Sequence, residues 1–121
     1  MSTDGREFSP DGRFFILSTS YEMRMSHWLS HAALWDAASR QLLLEVGNSL
    51  WSTEKVTWAP DSSSVVIALR RYPGDAPGIE LDVFPDLRVV VPRPPARPET
   101  ITFGGVDEFL EDYYETHRRK D

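Results

Sequence analysis

The chain of 121 residues contains no cysteine. Disulfide bonds and cysteine-ligated zinc sites are therefore excluded, and the lack of cysteine fits a reducing compartment. No apolar run approaches the roughly 20 residues that a membrane-spanning helix needs. The polar start, residues 1–7, lacks the apolar segment of a signal peptide. We therefore expect a cytoplasmic protein with no membrane partner.

Basic residues are scarce: 13 Lys and Arg stand against 19 Asp and Glu, which gives a net charge of −6. Sequence-independent binding to nucleic acid depends on clustered Lys and Arg that contact phosphates. We therefore predict no nucleic-acid partner. A negative net charge is compatible with a basic protein partner.

Catalytic and metal-binding motifs are missing as well. No Gly-x-Ser-x-Gly elbow accompanies the serines near the histidines. His27 and His31 are four residues apart, which on a helix would direct both at one metal ion, but their segment is strand-like in composition. Four aspartates spaced by twenty-five residues are predicted to bond their own main chain in turns: Asp11, Asp36, Asp61 and Asp86. We predict no catalytic residue, no cofactor and no metal site.

The chain does have an internal repeat. Residues 8–17 (FSPDGRFFIL) and 58–67 (WAPDSSSVVI) each combine an aromatic residue, a Pro-Asp turn and an apolar run. Proline sets φ for the first corner of a type I turn, Asp suits the second, and Gly12 can adopt the positive φ that follows. Ser62 stands in place of that glycine, where a left-handed conformation costs roughly 1 kcal/mol. At the same offset of fifty, residues 33–36 (ALWD) fall on residues 83–86 (VFPD).

An aromatic residue before Ser-Pro-Asp-Gly, an apolar strand, and a strand ending in Leu34-Trp35-Asp36 together resemble a blade of the WD-repeat and WD-like β-propellers. The looser bacterial type of propeller repeat is the better comparison. The resemblance implies two blade-like units, residues 8–48 and 53–92, the first with an inner strand shortened to little more than Glu7 and Phe8. It also implies a function in scaffolding or protein recognition.

We predict a mainly β fold: two four-stranded antiparallel units, a proline-rich linker and one C-terminal amphipathic helix. The predicted division is a two-unit β module over 1–92, followed by linker and helix over 93–121, packed on the module or on a sister chain. Prolines at four of the positions 92–98 predict that the sheet ends there. Apolar residues recur every three or four positions from Val106 to His117, which indicates the helix. Strands are predicted at 13–21, 31–36, 41–47, 53–59, 64–71, 78–84 and 87–92.

Several predicted strands are apolar at consecutive positions, for example residues 14–17 and 65–69. A strand open to water on one side normally alternates apolar and polar residues, so these runs predict cover on both faces. Two blade-like units cannot cover all of their own faces, because propellers close with at least four blades. We therefore predict a homo-oligomer in which copies share a ring, or a helix folded back over one face.

The segment between the second and third strands, residues 21–31, is longer than a hairpin loop requires and rich in the residue types that interfaces favour. This segment and its counterpart in the second unit predict a partner surface made of Tyr21, Met23, Met25, Trp28, Arg71 and Tyr72. The alternative is that these side chains pack on the chain's own helix or on a sister chain.

These features predict a non-enzymatic interaction module that binds copies of itself and, in a second role, another protein. Three alternatives stay open. One is an enzyme whose site forms in an oligomeric channel or at a subunit interface, with His27, His31 and carboxylates from more than one chain. Another is an antitoxin or immunity-type protein that neutralises a basic partner. The third is a structural protein, a degenerate repeat fragment kept only as an assembly subunit or encoded beside a larger propeller.

Overall fold

The computed structural model describes residues 2–22, 28–46, 51–71, 78–94, 96 and 98–117. These parts of the chain form strands β1 Ser2–Phe8, β2 Phe14–Glu22, β3 Trp28–Asp36, β4 Gln41–Val46, β5 Trp51–Trp58, β6 Val65–Arg71, β7 Ile79–Phe84, β8 Val89–Pro92 and β9 Ile101–Thr102, a 3-10 turn Phe103–Gly105, and helix α1 Val106–His117. Strands β1–β4 form sheet 1 and β5–β9 form sheet 2, both antiparallel and in chain order. The prediction of a mainly β fold with one C-terminal helix is confirmed.

The first strand is longer than predicted. β1 runs beside β2 from Ser2, opposite Tyr21, to Phe8, opposite Phe15. The expected shortened strand of Glu7 and Phe8 is therefore wrong. Its residues have no strand pattern of their own, but β2 offers a free row of main-chain donors and acceptors, and that pairing decides their conformation.

Sheet 2 has five strands, so the prediction of two four-stranded units is wrong for this sheet. After Pro92 the main chain turns back, and the N–H of Ala96 donates to the carbonyl of Arg93 at 3.1 Å. Ile101 then lies opposite Val90 in β8. Burial of Ile101 adds apolar packing to the two-residue ladder, which explains a strand too short to leave a local pattern.

The two Pro-Asp turns have the same geometry. The N–H of Gly12 donates to the carbonyl of Ser9, and the N–H of Ser62 donates to the carbonyl of Ala59, both at 2.9 Å. Gly12 has φ +75° and Ser62 has φ +65°. The left-handed serine is buried, and its Oγ accepts a hydrogen bond from the N–H of Asp11 at 3.0 Å. This contact between the units offsets part of the strain.

The third strands of the two units, β3 and β7, do not correspond at the predicted offset of fifty residues. The N–H of Arg40 donates to the carbonyl of Asp36, and the N–H of Arg88 donates to that of Phe84, in turns that close alike on a left-handed arginine. Asp36 therefore corresponds to Phe84, an offset of 48, and its predicted match to Asp86 is wrong. The hairpin between β6 and β7 is two residues shorter than that between β2 and β3.

One apolar core joins the two sheets and the helix. We call the side of each sheet that lines this core its inner face, and the opposite side its outer face. Sheet 1 contributes Phe14, Ile16, Ala32, Leu34, Leu44 and Val46. Sheet 2 contributes Trp51, Val65, Ile67, Leu69, Ile79, Leu81, Val83, Val90 and Ile101, and α1 contributes Val106, Leu110 and Tyr113. The helix thus shares the inner face of sheet 2 with sheet 1.

Each sheet carries a bulge near an edge. The register of β3 with β4 shifts between Leu34 and Trp35, and the register of β5 with β6 shifts between Thr53 and Lys55. A bulge places two residues opposite one and increases the local twist. Both β4 and β5 are edge strands of their sheets.

Candidate interaction surface

The two sheets pack in a head-to-tail manner. The Pro-Asp turns align Ile16 with Val66 and Leu17 with Ile67. Ile16 and Ile67 both lie in the shared core, whereas Leu17 and Val66 lie on the outer faces because side chains alternate along a strand. Equivalent positions therefore point into the core from one sheet and away from it in the other. The outer face of sheet 1 corresponds to the inner face of sheet 2.

The outer face of sheet 1 carries a row of large apolar side chains. The registers place Phe8, Phe15, Trp35 and Leu42 opposite one another across the four strands. The rings of Phe8 and Phe15 are 5.1 Å apart, and Phe15 stacks on Trp35 with centroids 6.2 Å apart. Phe8 is 52% exposed and Leu42 is 43% exposed. The row is therefore packed in its middle and open at both ends.

A cavity of about 270 Å³ opens beside this row, lined by Arg6, Phe8, Phe15, Leu17, Trp35, Ala37 and Arg40. The guanidinium of Arg6 lies 5.3 Å from the centre of the Phe15 ring. Trp35 Nε1 is buried and has no hydrogen-bond partner in the described chain. A buried N–H without an acceptor costs free energy. The surface thus combines a row of apolar side chains with two cationic side chains.

The corresponding row in sheet 2 is covered. Trp58, Val65, Val83 and Val90 take the places of Phe8, Phe15, Trp35 and Leu42 and line the shared core. Trp58 also donates its Nε1–H to the carbonyl of Glu7 in sheet 1, at 3.2 Å. The same set of positions is therefore closed in one sheet and open in the other.

The outer face of sheet 2 is more polar. Val66 and Ala68 are half-buried and lie beside a cavity of about 280 Å³, whose lining also includes Lys55, Thr57, Glu80 and Arg93. Arg93 Nε donates to Asp82 Oδ2 at 3.1 Å, and its Nη1 lies 3.9 Å from Glu80 Oε1. The hydrogen bond and the charge of Asp82 raise the pKa of Arg93. Small apolar side chains here alternate with paired charges.

Among the residues predicted as a partner surface, Arg71 faces the chain's own helix. Its guanidinium pairs with Glu111 at 2.5 Å and lies 4.1 Å from the ring centre of Tyr114. The same carboxylate accepts a hydrogen bond from Trp51 Nε1 at 3.2 Å. Only 12% of the Arg71 side chain is exposed. These contacts match the alternative in which this residue packs internally; its role toward a partner stays a prediction.

The other predicted partner residues are less fully described. Tyr21 and Trp28 lie where β2 and β3 approach their connecting hairpin, paired through the main chain with Leu29 and Glu22 respectively. Met23, Met25 and Tyr72 lie outside the described residues. Their role in partner binding therefore stays a prediction.

The described residues include His31 and all four turn aspartates, but not His27. His31 lies in β3 opposite Thr19. In the part of the chain that can be described, no three His, Asp or Glu side chains are grouped to hold a metal ion.

The turn aspartates serve mostly as local acceptors, as predicted. Asp36 accepts hydrogen bonds from the N–H groups of Ala38 and Ser39. The N–H of Arg13, followed by the hydroxyl of Ser9, lowers the pKa of Asp11. The hydroxyl and the N–H of Ser63 likewise lower the pKa of Asp61. Asp86 differs from these three, because it pairs with Arg13 of the first unit.

A wider groove of about 610 Å³ runs between α1 and the segment before it. Ile101, Phe109 and Tyr113 provide apolar lining, and Glu99, Glu108 and Asp112 add carboxylates. Carboxylates therefore outnumber basic side chains in the lining of this groove.

Comparison of the chain with protein-family models, with curated proteins and with solved structures gave no match. Among the described residues, no helix has the length and apolar character needed to cross a membrane.

Proposed function

We propose that the chain is a non-enzymatic protein-interaction module that associates with copies of itself through the outer face of sheet 1. The observation that supports this most is the contrast between equivalent rows. Trp58, Val65 and Val83 are closed by a neighbouring sheet, whereas Phe8 and Leu42 on the equivalent face are about half exposed. A second layer would shelter them as sheet 1 shelters sheet 2.

The proposal includes the WD-like blade interpretation. The Pro-Asp turns, the aromatic residue before each turn and the head-to-tail packing of successive sheets support it. Propellers are built from about four to eight such sheets around an axis. Two sheets per chain then require further copies to complete a ring.

The apolar area of the exposed row determines how much free energy its burial can contribute to association. Covering about 100 Å² of apolar surface on Phe8 and Leu42 contributes about 2.5 kcal/mol at about 25 cal/mol per Å². Association itself costs at least about 4 kcal/mol in lost rigid-body freedom. We therefore expect the whole face to be needed, and association to be reversible and dependent on concentration.

The test is the solution mass of the full chain by sedimentation velocity over a range of micromolar concentrations. We expect the mass to rise from 13.8 kDa to a multiple of it. The variant Leu42→Glu places a charge in the row at an exposed position and should remain monomeric at concentrations where the natural chain associates. A natural chain that stays monomeric throughout would contradict the proposal.

A second candidate function, binding of a basic partner, is supported by the groove beside α1. Glu108 and Asp112 are exposed there next to the half-buried Phe109. We expect a lysine-rich peptide to bind the natural chain and to bind the variant Glu108→Gln/Asp112→Asn more weakly, measured by calorimetry at two salt concentrations. Equal binding by both proteins would remove this candidate.

A further inference from the structure

We infer that the outer face of sheet 1 is covered by the outer face of sheet 2 of a second copy, so that chains associate head to tail. This inference rests on the proposed self-association and adds to it the identity and orientation of the covering surface.

The packing inside one chain provides the pattern for this contact. The Ile16 side of sheet 1 packs on the Ile67 side of sheet 2, and these are opposite sides of equivalent strands. The two sides left open are the Leu17 side of sheet 1 and the Val66 side of sheet 2. Repeating the intrachain contact once between chains brings these two open sides together. A contact of this kind uses different surfaces on the two partners and leads to closed rings or to filaments.

Charge on the two surfaces favours the same arrangement. Within the described ranges, three arginines have no carboxylate partner: Arg6, Arg40 and Arg88. Two of them, Arg6 and Arg40, line the cavity on the outer face of sheet 1. The outer face of sheet 2 carries Glu80 and Asp82, both beside Arg93, at the positions that hold Ala32 and Leu34 in sheet 1. Facing two copies of sheet 1 would instead bring four arginines, Arg6 and Arg40 of each copy, to one interface, where the same face also carries the carboxylate of Glu45.

The two arginines favour a polar contribution from the covering surface. Arg6 and Arg40 line the cavity together with the side chain of Trp35, whose Nε1 is itself buried. A carboxylate from the facing copy would offer an acceptor to both guanidinium groups. Apolar side chains around it would strengthen these charge-assisted hydrogen bonds by excluding water.

The area available also distinguishes the possible dimers. Four strands spaced at about 4.8 Å and six residues at about 3.3 Å give each face roughly 380 Å². A single contact between two sheet 1 faces would bury only about 760 Å² in total, below the roughly 1,200 Å² of specific complexes. A closed head-to-tail pair makes two contacts and buries about 1,500 Å², within the range for stable association. The smallest closed assembly is thus two chains and four sheets.

Cysteine cross-linking tests this inference directly, because the natural chain has no cysteine. Leu42→Cys places a thiol on the outer face of sheet 1, and Thr57→Cys places one on the outer face of sheet 2, both at exposed positions. Leu87→Cys is the matched control, since Leu87 is 70% exposed in the turn between β7 and β8. The three variants are treated singly and in pairs with a short bis-maleimide.

We expect the mixture of Leu42→Cys and Thr57→Cys to form cross-linked dimers in at least about tenfold higher yield than either variant paired with Leu87→Cys, because contact raises the effective concentration of the thiols. Dimers formed mainly by Leu42→Cys alone would overturn the inference in favour of a symmetric sheet 1 contact. Yields no higher than those of the control pairs would also overturn it. The mass of the natural chain separates this failure from failure of self-association itself.

Discussion

The cluster of Arg71, Glu111 and Trp51 allows a quantitative test of how the helix is held to sheet 2. We expect Glu111→Ala to lower the free energy of unfolding more than Arg71→Met does. Removal of the carboxylate leaves a largely buried guanidinium without its ion partner and leaves Trp51 Nε1 without its acceptor. Removal of the guanidinium leaves a carboxylate that is 48% exposed and can be hydrated.

The magnitudes follow from these exposures. Loss of one member of a fully buried pair costs about 3 to 5 kcal/mol, and we reduce this to about 2 kcal/mol for Glu111→Ala because the carboxylate is half exposed. For Arg71→Met we expect a loss of less than about 1 kcal/mol. Methionine keeps the apolar contact with Tyr114, and the substitution removes Arg71 Nε, which is buried without a hydrogen bond in the described structure.

The assay is urea unfolding of both single variants and the double variant at one fixed protein concentration, because association shifts apparent stability. With a slope of about 1–3 kcal/mol per molar urea, a loss of about 2 kcal/mol moves the midpoint by about 1 M. A double-mutant cycle then gives the coupling between the two side chains. An Arg71→Met variant less stable than Glu111→Ala, or a cycle without coupling, would refute this account of the cluster.

Three further predictions follow from other features. Leu42→Glu should abolish association in sedimentation velocity. Its free energy of unfolding should differ from that of the natural chain by less than about 0.5 kcal/mol, the usual effect of a surface substitution, when thermal unfolding of both is measured at a dilution where both are monomeric. Hydrogen bonds lower the pKa of Asp11 and Asp61 below the ordinary value of 3.8 in the folded state. The stability that these carboxylates contribute is therefore complete above that value and is lost as the pH falls through the lower folded-state pKa. Asn at both positions should flatten the acid limb of a plot of the free energy of unfolding against pH. Gly78→Ala should cost about 1–3 kcal/mol in urea unfolding, because its Cβ would lie 2.9 Å from a main-chain oxygen, whereas Gly5→Ala, with open space around it, should have little effect.

The local elements with strong chemical signals could be predicted from the sequence. The Pro-Asp turns follow from the preferences of proline and aspartate, and the amphipathic spacing from Val106 to His117 gives α1. The strand that was predicted too short, β1, and the strand that was not predicted, β9, had no such signal. β1 is polar and contains Gly5, and β9 has two residues, so both owe their conformation to a neighbouring strand rather than to their own side chains.

The predicted match of Asp36 with Asp86 shows how similarity of residues can mislead. Both are turn aspartates, and the common offset of fifty joins them. The hydrogen bonds of the turns instead align Asp36 with Phe84, because the second hairpin is two residues shorter. Asp86 is thereby placed to pair with Arg13, a contact across 73 positions of sequence that local patterns do not encode.

The sequence predicted that sheet faces need cover, but it did not predict which residues form the candidate surface. The apolar run of residues 14–17 indicated that both faces of β2 need cover, but it did not indicate which face the chain covers itself. That choice depends on the side from which sheet 2 packs, and it leaves Phe8 and Leu42 exposed while Ile16 is buried. The pairing of Arg71 with Glu111 is likewise set by where the helix docks.

The bulges in β4 and β5 have a consequence for how this protein can grow into larger species. A regular, flat border of a sheet invites another chain to add as an extra strand, the first step toward amyloid-like fibres. Here two edge strands are distorted by bulges, β9 is only two residues long, and β1 carries the charged residues Arg6 and Glu7. Addition of a further strand is therefore disfavoured at the edges of both sheets, and assembly through packing of sheet faces is favoured.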